Sequence, residues 1–160
     1  MLEIEPARPA DLPVIEGFIA ALYDAERQLD PRLSPGIELA AVGLKRMLSD
    51  IAGGKGLVFM ARVDGIAVGF GCVLIDDYCD PSYVDAVRRR AYVSYLYVAD
   101  EWRRQGVGRQ LLAVMEVEAK RGGCSRLVTR YKAVNVAAGQ CYEAAGFRSD
   151  QHIVSKSIGD

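Results

Sequence analysis

The stretch that most constrains this chain runs from residue 91 to residue 123, AYVSYLYVADEWRRQGVGRQLLAVMEVEAKRGG. Residues 92–98 are β-branched, aromatic and apolar, a composition that suits a buried strand. Asp100 and Glu101 end the run. Arg103-Arg104-Gln105-Gly106-Val107-Gly108 then leads straight into an amphipathic helix, on which Leu111, Leu112, Met115 and Ala119 recur at three- and four-residue spacing. Gly122-Gly123 stops that helix.

This stretch reads as an anion site. A helix N-terminus carries unpaired N–H groups and a partial positive charge, roughly +0.5 of an elementary charge. Gly106 and Gly108 lack side chains, so a phosphate can approach the backbone. Arg103, Arg104 and Arg109 surround the turn with fixed positive charge. A diphosphate is the natural ligand for such a cradle. It is not a P-loop, which needs Gly-Lys-Ser/Thr after four spacer residues. It is not the dinucleotide fingerprint either, whose third glycine is replaced by Leu111.

The pattern that fits is Arg/Gln-x-x-Gly-x-Gly/Ala after a strand ending Leu-x-Val, here Leu96-Tyr97-Val98 followed by Arg103 to Gly108. It resembles the acetyl-CoA motif of the GNAT superfamily of N-acetyltransferases. A second block supports the likeness: Asn135, small residues, Tyr142, then Gly146-Phe147. Asn135 and Tyr142 lie seven residues apart, two helical turns or about 10 Å along one face, so one ligand can touch both.

The resemblance implies acetyl-CoA as co-substrate, with Arg103, Arg104, Gln105, Gly106, Val107, Gly108 and Arg109 on the diphosphate. It implies that backbone groups of Leu96, Tyr97 and Val98 and the side chain of Asn135 hold the pantetheine arm. The hydroxyl of Tyr142 would face the thioester sulfur and donate a proton to it. Val98 N–H is the candidate oxyanion donor. Relatives often carry a carboxylate on the fourth strand. This chain has Ser94 there and no carboxylate from 91 to 99. Three routes for the amine proton stay open: a water relay through Ser94 or Tyr95, a carboxylate from Asp76 or Asp77, or an amine that arrives neutral.

The rest of the chain fits one domain over residues 1–160. Residues 2–5 alternate, predicting a strand with Leu2 and Ile4 inward. Leu12, Ile15, Phe18, Ile19 and Leu22 mark one helical face. Pro31 and Pro35 interrupt, and a second helix over about 37–51 turns Ile37, Ala40, Leu44, Met47, Leu48 and Ile51 inward. Strands over 57–63 and 66–75 flank the hairpin signal Asp64-Gly65. A loop over 76–85 carries Asp76, Asp77, Asp80 and Asp85, suited to attracting a cationic amine, beside the basic triplet Arg88-Arg89-Arg90. Tyr78, Tyr83 and Tyr92 are candidate walls of an acceptor pocket, and a short turn or helix is expected within 84–90. A strand over 124–130, a helix over 136–145 capped by Asn135, and a final strand over 151–158 complete the order. The expected fold is therefore mixed α/β: a six- or seven-stranded, mostly antiparallel sheet with about four helices. The family likeness makes its fourth and fifth strands parallel and splayed.

Composition narrows the partners. Twenty basic against 21 acidic side chains leave a net charge of −1, with no excess positive charge to grip nucleic acid. No apolar run approaches the roughly 20 residues that span a membrane, and the N-terminus does not read as a signal peptide. A cytoplasmic location is the expectation. Cys72, Cys79, Cys124 and Cys141 show no C-x-x-C spacing, so they read as reduced and mostly buried, with no metal site. The expected function is transfer of an acetyl group from acetyl-CoA to a primary amine of a small molecule, by direct attack. A peptide or protein amine is the alternative acceptor, and a silent acyl-CoA-binding domain the alternative of another class. The family includes homodimers, which makes a homodimer a candidate assembly.

Overall fold

The computed structural model describes residues 1–77 and 82–158. The elements run β1 (Leu2–Pro6), α1 (Leu12–Leu29), α2 (Gly36–Ile51), β2 (Gly56–Val63), β3 (Ile66–Asp77), a one-turn α3 (Asp85–Arg88), β4 (Arg89–Val98), α4 (Val107–Arg121), β5 (Arg126–Val128) and α5 (Val136–Ala144). The five strands form one sheet in sequence order. Neighbours are antiparallel except β4 and β5, which run parallel. The β2–β3 hairpin turns as its Asp-Gly pair predicts, with φ of 50° at Asp64 and 83° at Gly65.

Each face of the sheet buries one apolar layer. Leu111, Leu112, Met115 and Ala119 of α4 are all buried, against Phe59, Ala61, Val68, Val73, Ala91 and Val93. On the other face Ile15 and Ile19 of α1 and Met47 of α2 pack on Val58, Met60, Phe70, Cys72 and Tyr97. The α2 stripe differs from expectation. Ile37 is 81% exposed and Leu48 is exposed, while Gly36, Ala40, Gly43 and Met47 face inward. The reason is close approach. A Cβ at Gly43 would stand 3.0 Å from Ile19 Cγ2 and 3.1 Å from the Tyr95 hydroxyl, so small residues let α2 reach α1 and the sheet.

The final strand expected over 151–158 does not form. That segment carries no strand pairing, and Ile153, Val154 and Ile158 are more than four-fifths exposed. Among the described residues the sheet therefore has five strands rather than six or seven. A strand needs a ladder partner, and the outer strand β5 is only three residues long. It is shorter than the 124–130 expected because pairing with β4 begins only at Arg126 and stops at Val128. No helix among the described residues is long and apolar enough to cross a membrane.

Candidate active site between the parted strands

The site begins with an inserted residue. Cys72 pairs with Tyr95 and Val73 with Val93, so Ser94 has no partner and forms a β-bulge in β4. The bulge reverses the alternation of the strand. Ala91 and Val93 face α4, whereas Tyr95 and Tyr97 face α1 and α2. It also marks where β4 and β5 part. Their ladder covers Arg90↔Arg126, Ala91↔Leu127 and Tyr92↔Val128, and stops. At the fork the Thr129 hydroxyl donates to the Val93 carbonyl, 3.1 Å.

Beyond the fork one edge of β4 is open. Ala99 N–H donates to Val68 O, 2.9 Å, so backbone alternation turns the polar groups of Tyr97 toward β3 and those of Leu96 and Val98 toward the gap. Val98 O is taken by Arg103 Nε at 2.8 Å, and Val98 N–H still faces the gap. Tyr97 thus differs from Leu96 and Val98. Its backbone serves the sheet, and its ring lies 5.1 Å from that of Phe18 in the α1–α2 layer.

The glycine turn closes one end of the gap. Gly106 sits at φ 85° as the N-cap of α4, with no side chain capping the helix. The amides of Val107, Gly108 and Arg109 therefore have no helical acceptor. Arg104, at φ 61°, is a second left-handed residue, a conformation that costs a non-glycine about 1–2 kcal/mol. Gly108 lies against α5 and β4, where a Cβ would stand in ordinary contact 3.4 Å from Cys141 Sγ. Arg104 and Arg109 are exposed. Arg103 is tied back instead, to Val98 O and to Asp100 at 2.7 Å, with its guanidinium 5.7 Å from the Tyr97 ring centroid. Gln105 Nε2 donates to Glu101 O, 2.8 Å, and so braces the turn. Beside this turn an open cleft of about 460 Å³ is lined by Asp24, Asp100 and Glu101 together with Tyr97, Arg103 and the α1 surface.

The α5 block packs against the same gap. Asn135 Oδ1 accepts from Ala138 N–H, 3.1 Å, capping the helix and leaving its amide NH₂ as the donor. Tyr142 is 9% exposed, with the Tyr131 ring at 5.6 Å and the Phe147 ring at 5.3 Å. Burial raises the pKa of its hydroxyl, which also shares a hydrogen bond with the Thr129 hydroxyl. A raised pKa keeps the proton on the phenol at neutral pH, as a proton donor requires.

Other expected participants are engaged by neighbouring groups. The Ser94 hydroxyl bonds back to the Cys72 carbonyl at 3.5 Å, and Tyr95 is held in the α1–α2 layer, where burial raises its pKa. Asp76 and Asp77 face Arg90 and Arg89 across the β3–β4 ladder, in ion pairs of 3.2 and 3.0 Å. Asp85 pairs with Arg88. Asp76, Asp77 and Asp85 and the basic triplet thus pair with each other at the far end of β4 from Val98. Tyr78, Cys79, Asp80 and Pro81 fall outside the described residues. Tyr83 stacks with Arg126, 4.9 Å, and Tyr92 with Arg130, 5.9 Å. Burial raises the thiol of Cys141, and pushes that of Cys72 up to about 11, which leaves both as protonated packing groups.

Two carboxylates that attracted no notice in the sequence close α1: Glu26 in its last turns and Asp30 as its C-cap. Asp30 is buried, receives Arg32 through Nε (2.8 Å) and Nη2 (2.9 Å), and pairs with Lys132 of the β5–α5 loop at 2.9 Å. Glu26, one turn earlier, is half-buried, and burial raises its pKa against the opposing pull of Lys132. The signal was present: the period of Ile15, Ile19 and Leu22 continues to Glu26 and Asp30.

A bulged fourth strand parting from a parallel fifth, beside an uncapped helix N-terminus, is the arrangement that the acetyltransferase resemblance implies. The model of the acetyltransferase (GNAT) family matches residues 20–147, and the chain belongs to that family. It is an acetyl-CoA-dependent N-acetyltransferase. The aminoglycoside N(6')-acetyltransferase type 1 of Stenotrophomonas maltophilia is 31% identical over 113 residues, covering 69% of this chain and 72% of that protein. The structure of AAC(6')-Iy in complex with the bisubstrate analogue CoA-S-monomethyl-acetylneamine superposes with a TM-score of 0.69 at 19% identity, over 100% and 99% of the two chains. A mutant of a Bacillus halodurans protein gives 0.85 at 15% identity, over 98% and 99%.

Proposed function

We propose that this enzyme moves the acetyl group of acetyl-CoA by direct attack onto a primary amine of a small polycation of the aminoglycoside kind. The observation that carries the reading is the open edge of β4, from the Ser94 bulge to Val98, ending at the unpartnered amides of α4. The acceptor class draws support from the Stenotrophomonas maltophilia relative and from the carboxylates Asp24, Asp100 and Glu101 lining the adjoining cleft.

In this reading the diphosphate lies on the amides of Val107, Gly108 and Arg109, with the charges of Arg104 and Arg109 nearby. Gly106 supplies the turn, and Arg103 and Gln105 brace it. The pantetheine arm extends along β4 and bonds the backbone of Leu96 and Val98, with the Asn135 amide NH₂ as a further donor. Val98 N–H meets the thioester oxygen as it becomes an oxyanion. Tyr142 gives its proton to the departing thiolate, whose free pKa near 8.5 makes protonation favourable at neutral pH. Holding amine and thioester together supplies much of the acceleration, up to about 7–11 kcal/mol.

The test is acetyl-CoA binding by calorimetry, followed by CoA-thiol release against aminoglycosides, polyamines, amino acids and peptides. Release with aminoglycosides is expected. Release only with peptides would move the acceptor to a polypeptide amine, and no release from any amine would sink the proposal.

A further inference from the structure

Residues 151–158 have the chemistry of a strand and none of its contacts. Ile153, Val154 and Ile158 are apolar and β-branched, a composition that favours extended, half-buried chain. They are 83%, 90% and 95% exposed, and every other residue of the segment is exposed as well. Leaving three large apolar side chains in water gives up the driving force that buries such groups elsewhere in the molecule.

The same side of the molecule carries an unfinished sheet. β5 is the outer strand, joined to β4 on one edge only. Among the described residues no strand pairs with its other edge, which leaves a row of backbone donors and acceptors for another strand to meet. The connection that follows β5 adds apolar surface, with Tyr131, Val134 and Val136 each about half exposed or more.

The segment is anchored at that edge and then leaves it. Gln151 Nε2 donates to the Tyr83 hydroxyl at 3.1 Å, and the Tyr83 ring lies 4.9 Å from the guanidinium of Arg126, the first residue of β5. Ser125, the residue before β5, bonds the Ala86 carbonyl at 3.0 Å and fixes the same corner. From Gln151 onward the exposed chain projects away from its own sheet as an arm. Eight extended residues reach about 26 Å.

We propose that the arm of one copy, residues 151–158, pairs along the outer edge of β5 in a second copy, whose own arm returns the contact. The occupant follows from where the two parts sit. Arm and receiving edge belong to the same chain, and the anchor of the arm stands at the end of the receiving strand. A single two-fold axis beside Arg126 therefore brings both arms to both edges, and the contact closes at two copies. The backbone of the arm completes the ladder, as in other strand additions, and Ile153, Val154 and Ile158 gain cover. The exchange also reaches the active site. Thr129, whose hydroxyl holds the Val93 carbonyl at the fork, is the residue after β5, so the partner copy's arm backs the strand on which the fork depends.

The test is sedimentation of the full chain at micromolar concentration, beside a chain ending at Asp150 and the variant Val154→Lys. Val154 is exposed in a single copy, so its replacement removes no contact from the fold, and far-UV circular dichroism should be unchanged. Wild type should sediment as two copies and the shortened chain as one. Val154→Lys should raise the dissociation constant at least about tenfold, because its ammonium would be set into an apolar contact. Cross-linking through Lys156 in a mixture of isotopically labelled and unlabelled wild type should join peptides from different copies. Wild type that stays a single copy would overturn the proposal. So would a dissociation constant within twofold of wild type in either altered chain, because the interface would then lie elsewhere. Lys156 links found only within one copy would place the arm on its own chain, and a mass that climbs past two copies would mean an open array; either result refutes the exchange.

Discussion

Replacing Gly106 separates the conformation of the glycine turn from its charge. The residue sits at φ 85°, and a Cβ built there meets no atom within 4 Å. Gly106→Ala therefore adds no clash, only the left-handed penalty of about 1–2 kcal/mol. For a chain of this size that is a fall of about 2–8 °C in melting temperature. Gly106→Asp carries the same penalty and adds a carboxylate beside the amides of Val107, Gly108 and Arg109. That charge is mildly favourable to α4, by about 0.3–1 kcal/mol, so the Asp variant should melt no lower than the Ala variant. Toward a diphosphate the same charge is repulsive. At about 6 Å and an effective dielectric near 40, each unit of phosphate charge costs about 1.4 kcal/mol. Two such charges weaken acetyl-CoA by about a hundredfold, falling toward tenfold as salt screens them. Calorimetry on both variants at two salt concentrations reads the difference. Equal affinity in the two variants, within a factor of two, would refute the placement of the diphosphate at this helix.

Four further outcomes follow from the same structure. Tyr142→Phe should lower kcat by at least about tenfold, with acetyl-CoA affinity within twofold, in a steady-state assay paired with calorimetry; an unchanged kcat removes the tyrosine from the acid role. Ser94→Ala should leave kcat within about twofold, since the hydroxyl bonds back to Cys72; a large loss would restore a relay through Ser94. Arg32 and Lys132 hold the Asp30 carboxyl well below the usual range, so its stabilisation is present above the unfolded value near pH 4 and fades as pH falls below it. Asp30→Asn should therefore melt lower than wild type at pH 7, the two curves converging toward pH 2; parallel curves would contradict the pairing. Gly43→Val should cost about 1–3 kcal/mol in chemical denaturation, because its first carbon already presses on Ile19 and Tyr95.

Where the sequence was legible, the information was local. The α4 stripe follows from three- and four-residue spacing, and the glycine turn from side chains that are missing. Asn135 caps its helix and Tyr142 lies in the same block, because seven residues of helix have one geometry. Other features escaped. Residues 92–98 are apolar or aromatic almost throughout, so a one-residue insertion at Ser94 leaves no break in the pattern. In sequence the Asp run reads as a loop suited to attracting a cationic amine, whereas strand register sets Asp76 opposite Arg90 and Asp77 opposite Arg89. The β-branched residues Ile153, Val154 and Ile158 state a preference for extended chain and say nothing of an edge to pair with.

By itself, the sequence determined the family, the order of the central elements and the turn on which the diphosphate is proposed to rest. Each of those depends on neighbours within a few positions along the chain. Tertiary structure alone decided which edge of β4 is open, which arginine is tied back, and which carboxylate Lys132 meets. Those depend on a register slip at Ser94, on the rotation of α1 over the sheet, and on a loop drawn over Asp30 by Lys132 from about 100 residues away. Contacts between distant segments are set by how layers pack, and single-chain periodicity carries no record of them.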